Sequence, residues 1–236
     1  MKILHLYDDI MNLYGDYANI TAVMKLCGVI GEESAVSRCS VGDIVNLSDY
    51  DFIYVGSGTE RNMKVALEDL RRMKKELSAY VRSGKTALFT GNAFEMLGKS
   101  ITDADGKVYE GLGLFDFTVT EQKKTRLVSD EICDAPFLDK PLVGFINKCS
   151  EIRGITEPLF TVRMGLGNAE GENGEGVRKK NLFCTHLTGP VLIKNPHMLA
   201  YVVSQILGRE VDASALTHEN LGYEVTLRKL SKLMEA

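Results

Sequence analysis

The sequence predicts an α/β protein whose mainly parallel sheet is covered by helices on both faces. Short apolar runs alternate with amphipathic stretches from residue 2 to residue 98, which is typical of parallel strands joined by right-handed crossovers. Two of the apolar runs end in glycine-containing turns, as expected where a buried strand enters a loop. The chain has 236 residues, 44% of them hydrophobic, so one sizeable core is expected.

The first half of the chain supplies strands and helices in turn. Strands are predicted at 2–7, 33–39 and 51–55, and helices at 16–29 and 61–83. Asp16 is a candidate N-terminal cap of the first helix, and Gly84 stops the second. The strand at 51–55 forms a short apolar run after Asp51 and therefore fits a buried parallel position, whereas 33–39 suits an edge strand.

Residues 86–98 are the stretch around which the rest is organised. Their sequence, TALFTGNAFEMLG, predicts a buried strand, a sharp turn at Gly91 and Asn92, and a short helix. In open α/β proteins such a turn lies at the carboxyl edge of the sheet, where ligands bind and where a nucleophile elbow would lie. This turn contains neither a cysteine nor a serine.

The second half adds elements of a different kind. Further strands are predicted at 115–120, 125–129, 142–146 and 181–186, the first three in antiparallel arrangement. The glycine- and glutamate-rich residues 165–176 predict a mobile hairpin loop. Pro196 suits the first turn of a helix to about residue 207. Helical spacing at Leu216, Leu221, Val225, Leu230 and Leu233 predicts a terminal helix. We expect one domain at 1–209 with a helical extension at 210–236.

Composition excludes several classes of function. The net charge of −4 gives no electrostatic footprint for nucleic acid or an anionic membrane. No apolar run is long enough to span a bilayer, and the first residues lack a signal-peptide core, so a cytoplasmic protein is expected. The five scattered cysteines form no C-x-x-C pair, which supports neither a disulfide framework nor a zinc site. We expect no cofactor and no metal.

Two groups of residues are candidates for chemistry. Asp16 follows the first strand, as do Asp8 and Asp9, and it is either a helix cap or a site carboxylate. Cys184 and His186 project from the same face of one strand. Their Cα atoms would be roughly 6.5–7 Å apart, which is poor spacing for a nucleophile and its base. They remain weak catalytic candidates.

Seven runs together resemble the class I glutamine amidotransferase-like proteins. The branch is the one that contains cobyric acid synthase glutaminase domains and the glutaminase subunit of lipid II isoglutaminyl synthase. The runs are LYDDIMNLYGD at 6–16, GSG at 56–58, the stretch at 86–98, YEGLGLFD at 109–116, VGF at 143–145, GLGN at 165–168 and LTGPVLIKNP at 187–196.

The resemblance implies a flavodoxin-like three-layer α/β/α domain. Members of the family hydrolyse glutamine and pass ammonia to a Mur-ligase-like synthetase. An elbow cysteine attacks the side-chain amide, a histidine on a late loop moves protons, and backbone N–H groups hold the oxyanion. The resemblance therefore implies a heterodimer that acts in peptidoglycan amidation.

The sequence departs from the family where the chemistry lies. Counting back from Leu97 and Gly98 places Gly91 in the cysteine slot, Asn92 in a glycine slot and Glu95 in the glutamine slot. In the late motif, Thr188 takes the histidine slot. Gly91 has no side chain, and a threonine hydroxyl is too weak a base at neutral pH. No residue is thus predicted with assurance to be catalytic.

Three hypotheses follow. The favoured one is a pseudoenzyme, a non-hydrolysing subunit that binds a Mur-ligase-like synthetase. The second is an active glutamine amidotransferase with a non-standard nucleophile, and the third is a flavodoxin-like module that binds glutamine or a related small molecule. The residues predicted to bind a ligand are Asp9, Asn12, Gly56, Ser57, Gly58, Asn92, Glu95, Thr188 and Gly189.

Overall fold

A six-stranded sheet forms the centre of the protein in a computed structural model that describes residues 1–123 and 126–235. The strands are β1 (Lys2–Leu6), β2 (Ala35–Cys39), β3 (Phe52–Val55), β4 (Thr86–Thr90), β5 (Ser100–Thr102), β6 (Val108–Glu110), β7 (Thr118–Glu121), β8 (Leu127–Asp134), β9 (Leu142–Lys148), β10 (Ser150–Arg153), β11 (Phe160–Met164), β12 (Gly174–Glu175), β13 (Val177–Lys179) and β14 (Leu182–Thr185). The helices are α1 (Tyr17–Val29), α2 (Glu60–Leu70), α3 (Lys74–Arg82), α4 (Val191–Lys194), α5 (Pro196–Leu207) and α6 (Thr217–Met234). Among these, no helix is long and apolar enough to cross a membrane.

The central sheet has the strand order β13-β14-β4-β3-β1-β2. All neighbours in it are parallel except β13, which pairs antiparallel with β14. The predicted class is therefore confirmed, with β2 at one edge and β3 fully buried. The carboxyl ends of β1, β3, β4 and β14 come together at one edge of the sheet, which brings the loops that follow them into contact.

The core consists of two layers, one on each face of this sheet. Side chains alternate along β3, so Ile53 and Val55 face the layer formed with α2 and α3. Phe52 and Tyr54 face the opposite layer, formed with α1 and α5. This alternation explains why a continuous apolar run was needed in the sequence, and it gives the expected three-layer arrangement.

Two four-stranded sheets are attached to the central one. Their orders are β10-β7-β5-β6 and β12-β11-β8-β9. The second is antiparallel throughout, whereas the first contains the parallel pair β5 and β7. The strand predicted at 115–120 begins only at Thr118. Of the strand predicted at 125–129, Thr125 lies outside the described residues, and the observed strand starts at Leu127.

The helix predicted at 61–83 is wrong as a single element. It is divided into α2 and α3 by a 3-10 turn at Arg71–Met73. The division lies beside Asp69, which accepts hydrogen bonds from the Tyr7 hydroxyl and the Gly42 N–H. Arg71 binds the Glu110 carbonyl. The apolar stripe continues across the turn, so periodicity could not reveal it.

The predicted hairpin is present, because residues 165–173 join the antiparallel strands β11 and β12, and the mobility of this loop stays a prediction. The hairpin is less solvated than its composition indicates, since the side chains of Asn168 and Glu175 are buried. Glu175 accepts hydrogen bonds from the Thr185 hydroxyl at 2.6 Å and the His186 N–H at 2.7 Å. The glutamate that appeared to signal a solvated loop therefore ties this hairpin to the end of β14.

The terminal helix α6 is present, but its buried face differs from the predicted stripe. Leu221, Val225 and Leu233 are exposed. Leu216 and Leu230 are buried, as the stripe predicts, and Tyr223 joins Leu230 in a cluster that contains Ile132 of β8 and Val143 of β9. Tyr223 and Leu230 have the i, i+7 spacing of one helix face, whereas the three exposed positions lie outside it.

We predict that Leu230→Ala lowers the free energy of unfolding by about 2–4 kcal/mol, because it leaves a cavity under α6. Leu230 is 5% exposed and Leu233 is 55% exposed. The matched control Leu233→Ala should change stability by less than about 0.5 kcal/mol. Urea unfolding followed by circular dichroism measures both. Equal losses in the two variants would contradict the observed packing of α6.

Candidate functional site

The predicted elbow is formed by the end of β4 and a 3-10 segment, Gly91–Leu97. Gly91 has a φ of +58°, a conformation that glycine adopts without penalty. A Cβ atom at Gly91 would overlap the Ser57 hydroxyl oxygen and lie 2.8 Å from Ser57 Cβ. The space that a nucleophilic side chain would need is therefore filled from the neighbouring loop.

The loop at 56–58 approaches the elbow closely, and its backbone donors are already used. The Ser57 N–H donates to Asp16 Oδ2 at 2.5 Å. The Gly58 N–H donates to Asn92 Oδ1 at 2.9 Å, and Asn92 Nδ2 donates back to the Gly58 carbonyl at 2.8 Å. An oxyanion placed beside the elbow would have to compete with both acceptors for these N–H groups.

Asp16 does not cap α1 with its side chain. It is fully buried, and its carboxylate holds the loop at 56–58 instead. The cap is supplied by Asn12, whose Oδ1 accepts from the Tyr17 N–H at 2.8 Å. Burial raises the pKa of Asp16 from 3.8 to about 6, although the hydrogen bond from the Ser57 N–H opposes this shift.

Thr188, which the resemblance places in the histidine slot, is held against β9. Both its N–H and its hydroxyl donate to the Phe145 carbonyl, at 2.8 and 3.1 Å. Thr188 Cγ2 would lie 3.2 Å from a Cβ atom at Gly91, so the two residues face each other. Gly189 follows with a φ of +74°. The Thr188 hydroxyl is a donor here and has no general base beside it.

His186 and Glu95 are part of a buried polar network behind the elbow. His186 Nε2 lies 3.4 Å from Glu95 Oε1, and Nδ1 lies 3.6 Å from Glu175 Oε1. Ser150 Oγ donates to Glu95 Oε1 at 2.6 Å. The imidazole is therefore placed between two carboxylates and orients the Glu95 side chain from behind.

Cys184 lies in the apolar core on the α2 and α3 side of the sheet. Burial raises the pKa of its thiol well above the ordinary value, which disfavours the thiolate. In the described part of the chain, no hydrogen bond joins the Cys184 thiol to His186. The two side chains that share a strand face in sequence are thus not assembled as a nucleophile and its base.

A cleft of about 160 Å³ opens beside the elbow. Its lining comprises Leu13, Tyr14, Ser57, Gly58, Thr59, Glu60, Asn92, Glu95, Arg126, Asn147, Lys148 and Cys149. Four residues predicted to bind a ligand are among them. The other five, Asp9, Asn12, Gly56, Thr188 and Gly189, are not among the lining residues, and Asp9 accepts a hydrogen bond from the Ser40 hydroxyl at 2.6 Å.

Sequence reasoning missed the side of the cleft formed by Arg126, which precedes β8, and by Asn147, Lys148 and Cys149 at the end of β9. Cys149 Sγ lies 3.1 Å from Glu60 Oε1, and Arg126 binds the same carboxylate. Burial raises the pKa of the Cys149 thiol to about 12, so this second cysteine is also neutral at physiological pH. Tyr14, at the mouth, has a φ of +59°. No motif marks these residues, because their proximity depends on how the attached sheet packs.

Fold and site together define a glutamine-amidotransferase-like protein with a substituted nucleophile slot. The chain belongs to the CobB/CobQ-like glutamine amidotransferase domain family, whose profile matches residues 2–196. The solved PurLQS structure from Thermotoga maritima shares the fold, with a TM-score of 0.56 at 13% identity over 88% of this chain and 97% of that one.

Two curated relatives match most of the chain and share one name. Both are the GatD subunit of lipid II isoglutaminyl synthase (glutamine-hydrolyzing). The Streptococcus pneumoniae protein is 29% identical over 89% of this chain and 82% of its own length. The Staphylococcus aureus protein is 29% identical over 89% of this chain and 86% of its own length. The resemblance noted from the sequence motifs is thereby confirmed.

We predict that Asp16 makes stability depend on pH between about 4 and 6. Because its pKa is higher in the folded state, the folded protein binds the proton more tightly, and this stabilisation is lost as the pH rises through that window. Asp16→Asn should remove up to about 3 kcal/mol of the difference in unfolding free energy between pH 4 and pH 7. Urea unfolding at both pH values measures it.

The control is Asp116→Asn, because the Asp116 side chain is 90% exposed. It should leave the difference between pH 4 and pH 7 close to that of the wild type. An unchanged pH dependence in Asp16→Asn would contradict the assignment of this slope to Asp16.

Proposed function

We propose that this chain is a non-hydrolysing, glutamine-amidotransferase-like subunit that works with a Mur-ligase-like synthetase in lipid II amidation. The observation that carries the proposal is the position of Ser57, whose hydroxyl fills the space beside Gly91 where an attacking side chain would be. On this proposal, hydrolysis is lost because the packing around the elbow leaves no room for a nucleophile. Replacing Gly91 alone would therefore not restore it.

The nucleophile and the base expected of a glutaminase are absent, and the N–H groups that could bind the oxyanion are already paired. Gly91 supplies no nucleophile, and Thr188 donates its hydroxyl to a carbonyl. Removing the nucleophile or the base of a comparable triad leaves only roughly 10³–10⁴-fold acceleration, which depends on the oxyanion site. Here the N–H groups of Ser57 and Gly58 already have acceptors, and one lost donor costs about 10²–10³ in rate.

The proposed partner rests on the relatives. They are named as subunits of a glutamine-hydrolysing lipid II isoglutaminyl synthase, and the match extends over most of this chain. We propose that the chain retains the subunit role and that its synthetase uses free ammonia. The cytoplasmic location and the heterodimer stay predictions, as does the division into 1–209 and 210–236.

The alternative of an active enzyme with a non-standard nucleophile is less well supported. Cys184 is buried in the core, and the pKa of its thiol is raised. Cys149 borders the cleft, but its neighbour is the Glu60 carboxylate, which also raises the thiol pKa. Neither thiol has the adjacent imidazole that would activate it. The alternative of a small-ligand module is supported by the cleft itself.

We predict no glutamate release from glutamine by the wild type or by Gly91→Cys/Thr188→His. The cysteine would overlap Ser57, so Ser57→Gly must be added before any activity appears.

Adding Asn92→Gly should raise the rate about another hundredfold, because it frees the Gly58 N–H for the oxyanion. A coupled glutamate dehydrogenase assay on purified proteins measures each step.

The stabilities of the two single variants and the double variant, measured by thermal unfolding, test whether Ser57 fills the space beside Gly91. Gly91→Cys alone should destabilise the fold by about 1–3 kcal/mol through overpacking, and Ser57→Gly should relieve most of that loss. Additive effects of the two changes would show that Ser57 does not fill the slot. Glutamine hydrolysis by the wild type that disappears in Cys184→Ala or Cys149→Ala would overturn the proposal.

We predict that the chain co-elutes with the Mur-ligase-like synthetase of the same organism in size-exclusion chromatography. The complex should amidate lipid II with ammonium chloride and not with glutamine, because only the synthetase chemistry is intact. Mass spectrometry of lipid II after both reactions measures this. A chain that remains monomeric beside the synthetase would contradict the partner assignment and leave the glutaminase prediction standing.

A further inference from the structure

We propose that the cleft beside the elbow binds a small primary ammonium compound, with Glu95 as the residue that determines this specificity. Glu95 occupies the position where the family pattern has an amide, and it borders the cleft. The inference goes beyond the proposed function, because it concerns a ligand of this chain alone and needs no synthetase.

The Glu95 carboxylate is held rigidly and has one oxygen to spare. Its Oε1 accepts from Ser150 Oγ at 2.6 Å and lies 3.4 Å from His186 Nε2. Its Oε2 accepts no hydrogen bond from the described residues and is not among the fully enclosed polar atoms. Glu95 is only 3% exposed, so the oxygen faces the enclosed cleft, where a charge-assisted hydrogen bond is strong.

The cations that border the cleft already have partners. Lys148 Nζ donates to the carbonyls of Gly167 and Asn168, at 2.7 and 2.9 Å. Arg126 binds the Glu60 carboxylate and the Asn147 side-chain oxygen. Both cations therefore have acceptors among the described residues, whereas Glu95 Oε2 has no donor among them. A ligand ammonium group could donate to this oxygen.

Ser57 also borders the cleft, but its hydroxyl oxygen is fully enclosed and therefore lies out of reach of a ligand. An ammonium group has three donors, and Glu95 Oε2 is the carboxylate oxygen that the cleft leaves open to one of them. The remaining donors of the ammonium group would face the open side of the cleft.

The volume of the cleft limits the rest of the ligand. At about 160 Å³, it is close in size to the engineered 150 Å³ cavity that holds benzene, which has six non-hydrogen atoms. Glutamine has about ten, and its α-carboxylate would meet Glu60 and Glu95. The ligand class is therefore a short alkylammonium or aminoalcohol, and glutamine itself should bind worse.

Isothermal titration calorimetry in amine-free phosphate buffer at pH 7 tests this, with propylamine, ethanolamine, propionamide and L-glutamine as probes. The ammonium compounds should bind at least about tenfold more tightly than the neutral propionamide. Glu95→Gln should weaken propylamine binding at least about tenfold, since a hydrogen bond to a charged group is lost. Glu110→Gln, an exposed carboxylate away from the cleft, should leave binding unchanged.

Several outcomes would overturn the proposal. They are no heat with either ammonium compound up to about 100 mM, equal propylamine affinity in Glu95→Gln and wild type, or tighter binding of glutamine than of propylamine. If Glu95→Gln unfolds, Ser150→Ala provides the second variant, with an expected loss of severalfold because Glu95 then lacks the hydrogen bond that orients its carboxylate. Amine binding and glutaminase activity are separate readouts, so this inference and the proposed function fail independently.

Discussion

The hydrogen bond from the Ser57 N–H to the Asp16 carboxylate is the constraint on which the site geometry depends. It draws the loop after β3 against the start of α1 until no side chain fits at Gly56, where a Cβ atom would lie 2.6 Å from the Met11 carbonyl oxygen and 3.0 Å from Asp16 Cβ. The close approach in turn places the Ser57 side chain against Gly91. Burying the carboxylate costs free energy that the N–H offsets only in part, which is why its pKa is raised.

The same carboxylate continues into a chain of polar groups that crosses the sheet. Thr90 Oγ1 lies 3.4 Å from Asp16 Oδ2 and 2.8 Å from the Tyr54 hydroxyl. The Tyr54 hydroxyl accepts from Asn19 Nδ2, whose Oδ1 accepts from the Leu192 N–H. β3, β4, α1 and α4 are thus tied together at the carboxyl edge. These hydrogen bonds hold the elbow in its shape, and none of them involves the side chain at the nucleophile slot.

The strands were predictable because a buried parallel strand needs a continuous apolar run, as β3 and β4 show. The assignment of Gly91 and Thr188 to the family slots comes from motif order and stays a prediction, although the structure does place the two residues side by side. The contact between Ser57 and Gly91 was not predictable, because it joins residues 34 positions apart through loop geometry that periodicity does not encode. Glu175 was misread for a related reason. Composition indicates solvation, yet two hydrogen bonds from the end of β14 hold its carboxylate in the interior.

The polar network around the cleft contains several buried ionisable groups. Burial raises the pKa of Glu131 to about 8, so this carboxyl is mostly protonated at neutral pH. Lys148 then has Glu175, Glu95 and Glu151 as its charged neighbours. Packing alone would be better served by apolar side chains, since buried ions seldom stabilise a fold more than well-packed apolar groups of similar size. The open Glu95 carboxylate oxygen in this small cleft is therefore unfavourable for packing alone, which supports the proposed role in binding.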